Sequence, residues 1–137
     1  MRHLYAADLP TREHLAARRA NAKEKRPDYI IIAGGGKVGY QVGRALIEKG
    51  AEVLILDKRP SRYQMLHDEL GQAVFFGDAC EIRTMARVGM ERADLVVAVT
   101  GDDEDNLVIC QVAKRWFGVP TAIGAVTLKS TYPGLFR

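Results

Sequence analysis

The chain has 137 residues, 47% hydrophobic and 27% charged, which suits a globular chain with one domain and one core. No apolar run approaches the ~20 residues needed to cross a bilayer, and the start carries no signal-peptide pattern. Direct membrane insertion and export are therefore not expected, and a cytoplasmic location is. The net charge of +3 is unevenly placed: residues 1–27 hold seven Lys/Arg and three Asp/Glu, leaving 13 and 14 for the remainder. The body is thus close to neutral and lacks the basic, aromatic-interleaved face of a nucleic-acid binder.

Residues 1–27 read as a basic N-terminal arm or linker. A polar helical pattern runs from Thr11 to about Lys25, with Thr11 placed to cap it and Leu15 as its only large aliphatic residue. Without an apolar face it reads as an exposed helix or mobile linker. The alternative is a junction to another domain, a partner or an anionic surface.

From Tyr29 the elements alternate. An apolar, β-branched strand, Tyr29–Ala33, feeds the turn Gly34-Gly35-Gly36-Lys37-Val38-Gly39. In this G-x-G-x-x-G pattern Gly34 permits the tight turn and Gly36 lets a pyrophosphate approach the backbone. Gly39 lets the helix pack close on the sheet. The helix, about Lys37 to Lys49, shows Val38, Val42, Ala45 and Leu46 on one face, and Gly50 ends it. Its N-terminal N–H groups can bind an anion. The second strand, Glu52–Leu56, leads to Asp57, 18 residues after Gly39. That is close to the ~20 at which an acid accepts from ribose hydroxyls. A free ribose (NAD, ATP, ADP) fits this charge better than NADP, an inference that the following Lys58 and Arg59 weaken. A glycine-rich turn without a ligand is the alternative.

A second helix follows Pro60, carries Tyr63, Leu66 and Leu70, and ends at Gly71. The third strand is Ala73–Phe76, closed by Gly77-Asp78-Ala79. Asp78 can accept from an adenine amino group or cap the next helix. That helix ends near Gly89, with Ile82, Met85, Ala86 and Val88 available for packing. The fourth strand, Asp94–Thr100, is the near-continuous apolar run of a strand buried on both faces. Thr100 and Gly101 then line the crevice floor. Asp102, Asp103, Glu104 and Asp105 cap the last helix and oppose its dipole, or hold a cation or polar ligand. Asn106 can hydrogen-bond a ligand or face solvent. The last helix ends near Gly118, with Leu107, Val108, Val112 and Trp116 expected to face inward, and a fifth strand begins after Pro120.

Short links between alternating strands and helices predict a Rossmann-like α/β fold, a doubly wound parallel sheet of five main strands in order 3-2-1-4-5. The domain is expected over residues 28–126, with a loose tail over 127–137. The ligand crevice falls at the carboxyl ends of strands 1 and 4. Cys80 and Cys110 follow no metal or redox spacing and read as free thiols. His3, His14 and His67 are scattered, so no metal site is expected.

Five segments stand together in order: Gly34–Gly39, Leu56-Asp57-Lys58, Phe76-Gly77-Asp78-Ala79, Glu91-Arg92-Ala93-Asp94 and Val97–Asn106. Over residues 29–123 the chain resembles the Trk-type nucleotide-binding domain, the N-terminal domain of the regulator of potassium conductance (RCK). The resemblance implies a non-enzymatic, cytosolic regulator that binds NAD(H) or an adenine nucleotide, ATP, ADP or AMP. It implies a homo-oligomer, partnered by a potassium channel or transporter membrane subunit whose pore is gated by ligand-driven rearrangement. The implied contacts are the glycine turn with phosphate, Asp57 with the adenosine ribose, and Asp78 and Ala79 with the adenine. Thr100 and Asp102 line the crevice. At Ile123-Gly124-Ala125-Val126 the chain departs from the family, with Ala125 where an arginine would approach the phosphates. The segment 127–137 does not look like the usual continuation. The competing readings are a fragment of an NAD-dependent oxidoreductase and an assembly module that binds nothing.

Overall fold

A computed structural model of the chain describes residues 11–23 and 26–126. The tail expected over 127–137 lies outside the described residues, as does the start of the arm. The strands are β1 (Tyr29–Ala33), β2 (Glu52–Asp57), β3 (Val74–Phe76), β4 (Leu95–Ala98) and β5 (Thr121–Gly124). The helices are α1 (Arg12–Lys23), α2 (Lys37–Glu48), α3 (Pro60–Leu70), α4 (Ile82–Arg87) and α5 (Asp103–Arg115). All strand pairs are parallel and the order is β3-β2-β1-β4-β5, as the sequence predicts. Reversal of winding between β1 and β4 opens a crevice at their carboxyl ends.

β1 is buried at every position, and its side chains alternate between two apolar layers. Ile30 and Ile32 join Ile55 and Leu66 beneath α2 and α3. Tyr29, Ile31 and Ala33 join Met85, Met90, Ile109 and Ala113 on the side of α4 and α5. The fourth strand is shorter than its sequence run, ending at Ala98. Its pairing with β1 continues outside it: Asp94 N–H donates to the Tyr29 carbonyl, and Val99 N–H to that of Ala33, each at 2.8 Å.

Two packing faces differ from those expected. On α2 Val42 and Leu46 pack on the core as expected and Gly39 and Gly43 are buried with them, while Val38 is 60% exposed and Ala45 also faces solvent. A glycine four residues after Gly39 extends the bare stripe, and a Cβ at Gly43 would stand 2.8 Å from Ile55 Cδ1. On α5 the inward stripe is Asn106, Ile109 and Ala113. Leu107, Val108 and Trp116 face outward instead, Trp116 at 70% exposure, and only Val112 of the expected set packs on the core. A buried asparagine thus stands in the stripe that faces the sheet. Helix α4 is also short, ending before Gly89 (φ 75°), and Ile82 at its start is exposed.

The arm forms an exposed helix, one of the two forms expected from its missing apolar face, and its arginines bond the body. Thr11 Oγ1 accepts from the His14 N–H, as its capping position predicts. Arg19 then donates to the carbonyl oxygens of Ala93 (2.8 Å), Glu91 (3.2 Å) and Gly118 (3.0 Å). Arg26 pairs with Asp94 at 2.9 Å, and Asp94 also accepts from the Tyr29 N–H.

The bare stripe on α2 makes a test. A Cβ at Gly39 would overlap the Gly34 carbonyl oxygen, a backbone atom with no freedom to withdraw. Gly39→Ala should therefore destabilise by about 1–3 kcal/mol in denaturant titration, against the gain of up to ~1 kcal/mol that alanine brings inside an unconstrained helix. A neutral or stabilising result would contradict this packing.

Candidate functional site

The loop after β1 is built by close approach. Gly34 has φ 109°, and a Cβ there would stand 2.7 Å from the Val99 carbonyl oxygen on the loop after β4. Its N–H donates to the Leu56 carbonyl at 2.8 Å, tying the turn to β2. Gly35 is equally confined, because its Cβ would strike Leu66 Cδ1. Arg62 Nε grips the Gly35 carbonyl at 2.5 Å. Gly36 differs: nothing lies within 4 Å of where its Cβ would stand. It is the N-cap of α2, and no side chain caps that helix.

A cavity of about 470 Å³ opens over this loop, within the ~300–1,000 Å³ usual for small-molecule sites. Of the residues expected at the site, Gly34, Gly36, Lys37, Val38, Asp57, Lys58, Gly77, Asp78, Ala79, Thr100, Gly101 and Asp102 line it. Gly35, Gly39 and Asn106 do not. Gly35 and Gly39 lie behind the wall and shape it. Asn106 is fully buried, and its Oδ1 accepts from the Thr100 N–H (2.9 Å) and hydroxyl (2.6 Å). Its Nδ2 donates to the carbonyls of Thr100 (3.2 Å) and Ala125 (3.0 Å). Both ends of the amide are occupied, so the structure places Asn106 as a clamp joining the β4 and β5 loops rather than as a group facing a ligand.

Asp78 also departs from one of its two readings. It accepts from the Cys80 N–H at 2.9 Å and so closes its own turn, while Glu81 holds the N-cap position of α4. Asp102 does cap α5, accepting from the Asp105 N–H at 2.9 Å. Asp103, Glu104 and Asp105 fill the first turn behind it.

The lining residues not singled out from the motifs are Leu56, Arg59, Cys80 and Val99, and Asp105 of the acidic run lines the cavity as well. Arg59 was visible as a cation two positions past the acid, a spacing that folds it back across a turn. Cys80 carried no such signal. Burial, with Asp105 and Asp78 nearby, pushes its thiol up to about 11, so it is protonated and a poor nucleophile near neutrality.

Asp57 is 5% exposed. Its Oδ2 accepts from the Gly35 N–H (2.9 Å) and Arg59 Nη2 (2.7 Å). Its Oδ1 accepts from the Arg59 N–H (2.8 Å) and Arg59 Nε (3.0 Å). Burial alone would raise this carboxyl. The bonds from Arg59 and the Gly35 N–H outweigh that and hold it below its ordinary value of 3.8. A depressed folded-state value means that ionised Asp57 stabilises the fold above the ordinary carboxylate range and that the contribution is lost as pH falls through it. Asp57→Asn should lower stability by about 1–3 kcal/mol near neutral pH, and the gap from wild type should shrink below about pH 4. Thermal unfolding of both chains across that range is the check. A gap that does not change with pH would remove the charge from the account.

The TrkA-N domain family model matches residues 30–135, past the boundary at 126 drawn from the sequence. The chain is 36% identical over 97 residues to the Trk system potassium uptake protein TrkA of Azorhizobium caulinodans, covering 71% of this chain and 21% of that protein. To the protein of the same description from Mycobacterium tuberculosis it is 35% identical over 103 residues, covering 71% and 44%. The chain therefore spans less than half the length of either relative. Among solved structures, the NAD(P)-binding domain of an exopolyphosphatase-related protein from Archaeoglobus fulgidus matches with a TM-score of 0.57 at 23% identity, over 73% of this chain and 89% of that one. The GsuK RCK domain matches with a TM-score of 0.57 at 20% identity, over 70% and 25%. At those identities the structures bear on the fold alone. Sequence and fold agree, and the chain belongs to the TrkA-N domain family, the N-terminal domain type of Trk and RCK proteins.

Proposed function

We propose that the chain is a regulatory nucleotide-binding domain of a potassium uptake system or channel, with NAD(H) as first candidate ligand and ATP, ADP or AMP as the others. One contrast supports this most. Helices α2 and α5 both begin at the cavity, but α5 fills its own N-terminus with carboxylates. The start of α2 has no side-chain cap, no acid in its first turn and open space over Gly36. A ligand anion belongs there, where unpaired N–H groups and the helix dipole favour negative charge. The pyrophosphate would lie on the Gly34–Gly39 turn. The adenosine would extend toward Asp57, Lys58, Gly77, Asp78 and Ala79, and the other half of a dinucleotide along Thr100, Gly101 and Asp102.

The lining favours sensing over turnover. Its titratable groups are lysine, arginine, aspartates and a protonated thiol. His67 lies on α3 beside Tyr63, exposed and outside the cavity lining. Regulation needs only that a nucleotide favour one arrangement of subunits, with the pore reading the shift in population. The similarity to potassium uptake proteins supports a potassium channel or transporter membrane subunit as partner, at the cytoplasmic face. Homo-oligomerisation is supported by the exposed apolar residues Leu107 and Val108 on α5, Trp116 just after it, and Ile123 on β5, which is at the edge of the sheet among the described residues.

Gly36→Leu tests the site, because the fold has room for the side chain and the ligand would not. Calorimetric titration with NADH and ADP, after removal of co-purified nucleotide, should show saturable binding to wild type. The variant should lose more than about tenfold in affinity while its thermal midpoint is retained. Undiminished binding to the variant would place the phosphates elsewhere.

A further inference from the structure

The carboxylate that should read a free ribose is covered. The Asp57 carboxylate accepts from the Gly35 N–H of the turn and from Arg59, which closes on it as a two-pronged fork through Nε and Nη2. The side chain of Asp57 is 3% exposed and that of Arg59 is 59% exposed. Both residues line the cavity, but the carboxylate is nearly covered while the arginine side chain is largely exposed. Lys58 adjoins it and Lys37 lines the wall at the glycine turn. The acids lining the cavity are Asp57 itself, Asp78 and Asp102 on the loops after β3 and β4, and Asp105 in the first turn of α5.

Rossmann-type sites use an exposed acid at this position to hold ribose hydroxyls and to repel a 2′-phosphate, or a nearby arginine to accept that phosphate. This chain has both residues, and the ion pair decides which of them faces the ligand. The guanidinium carries further N–H donors beyond the two bonded to Asp57, in the planar geometry suited to phosphate oxygens.

The geometry points to Arg59 as the specificity-determining residue. It masks Asp57 and presents a cation to the adenosine ribose, so that the site accepts an adenine dinucleotide carrying a 2′-phosphate at least as well as one without. The inference rests on the nucleotide reading above, with the ribose at the end of β2. It reverses the preference for NAD over NADP that Asp57 alone suggests.

The test is calorimetric titration of wild type and Arg59→Ala with NADH and NADPH, repeated with ADP and adenosine 2′,5′-bisphosphate to isolate the ribose phosphate. Wild type should bind NADPH as tightly as NADH, within about threefold, or more tightly. Arg59→Ala should weaken NADPH by about tenfold or more and leave NADH unchanged or tighter, because the acid is then bared. Equal losses for both ligands would mean that Arg59 only supports the turn, and would overturn the inference. Wild-type binding of NADH with NADPH more than about tenfold weaker would overturn it alone and leave the nucleotide reading standing. Failure of every nucleotide to bind wild type would overturn both.

Discussion

The geometry of the crevice depends on how the turn after β1 is held. Its N–H groups are drawn to β2, Gly34 to the Leu56 carbonyl and Gly35 to the Asp57 carboxylate. On the other side Gly34 lies against the Val99 carbonyl, where no side chain would fit. Three parallel strands are thereby brought to one point by backbone contacts. The start of α2 is carried to the same point, because Gly39 rests on the Gly34 carbonyl. Gly36 alone among these glycines is open, and it is the one that faces outward.

These contacts explain what could be read in the sequence. Strand order followed from alternation and short links, and the glycine turn, Asp57 and the loops after β3 and β4 all came to one cavity. Features fixed by tertiary polar bonds were not legible. Counting apolar residues on α5 put Leu107, Val108 and Trp116 inward, but the face is chosen by Asn106, whose amide bonds Thr100 and Ala125. Periodicity gives no weight to a buried asparagine. The attachment of the arm was not legible for a related reason: three carbonyl oxygens at the far end of the sheet hold Arg19, and a lone arginine in a polar helix does not announce its acceptors. Arg59 was visible as a charge, but its fold back onto Asp57 belongs to the geometry of the turn.

The two ends of the sheet are organised differently. At the carboxyl ends of the strands, bare backbone and mixed charges surround a cavity. At the opposite end Arg19 and Arg26 tie α1 and the chain after it to the loops before β4 and β5. The outward apolar residues of α5 run alongside, next to the edge strand β5. Under the proposed function α5 would connect the two ends, since its first turn lines the cavity and Leu107 and Val108 are exposed on its outer side. Such a connection would let occupancy bias assembly without any chemical step.

The most direct test of the account is amide NMR of the labelled chain during titration with NADH. The account predicts saturable shifts concentrated at Gly34–Gly39, Gly77–Cys80 and Thr100–Asp102, with Arg19, Glu91 and Gly118 at the opposite end unmoved. No saturable shifts, or shifts centred on that opposite end, would contradict it.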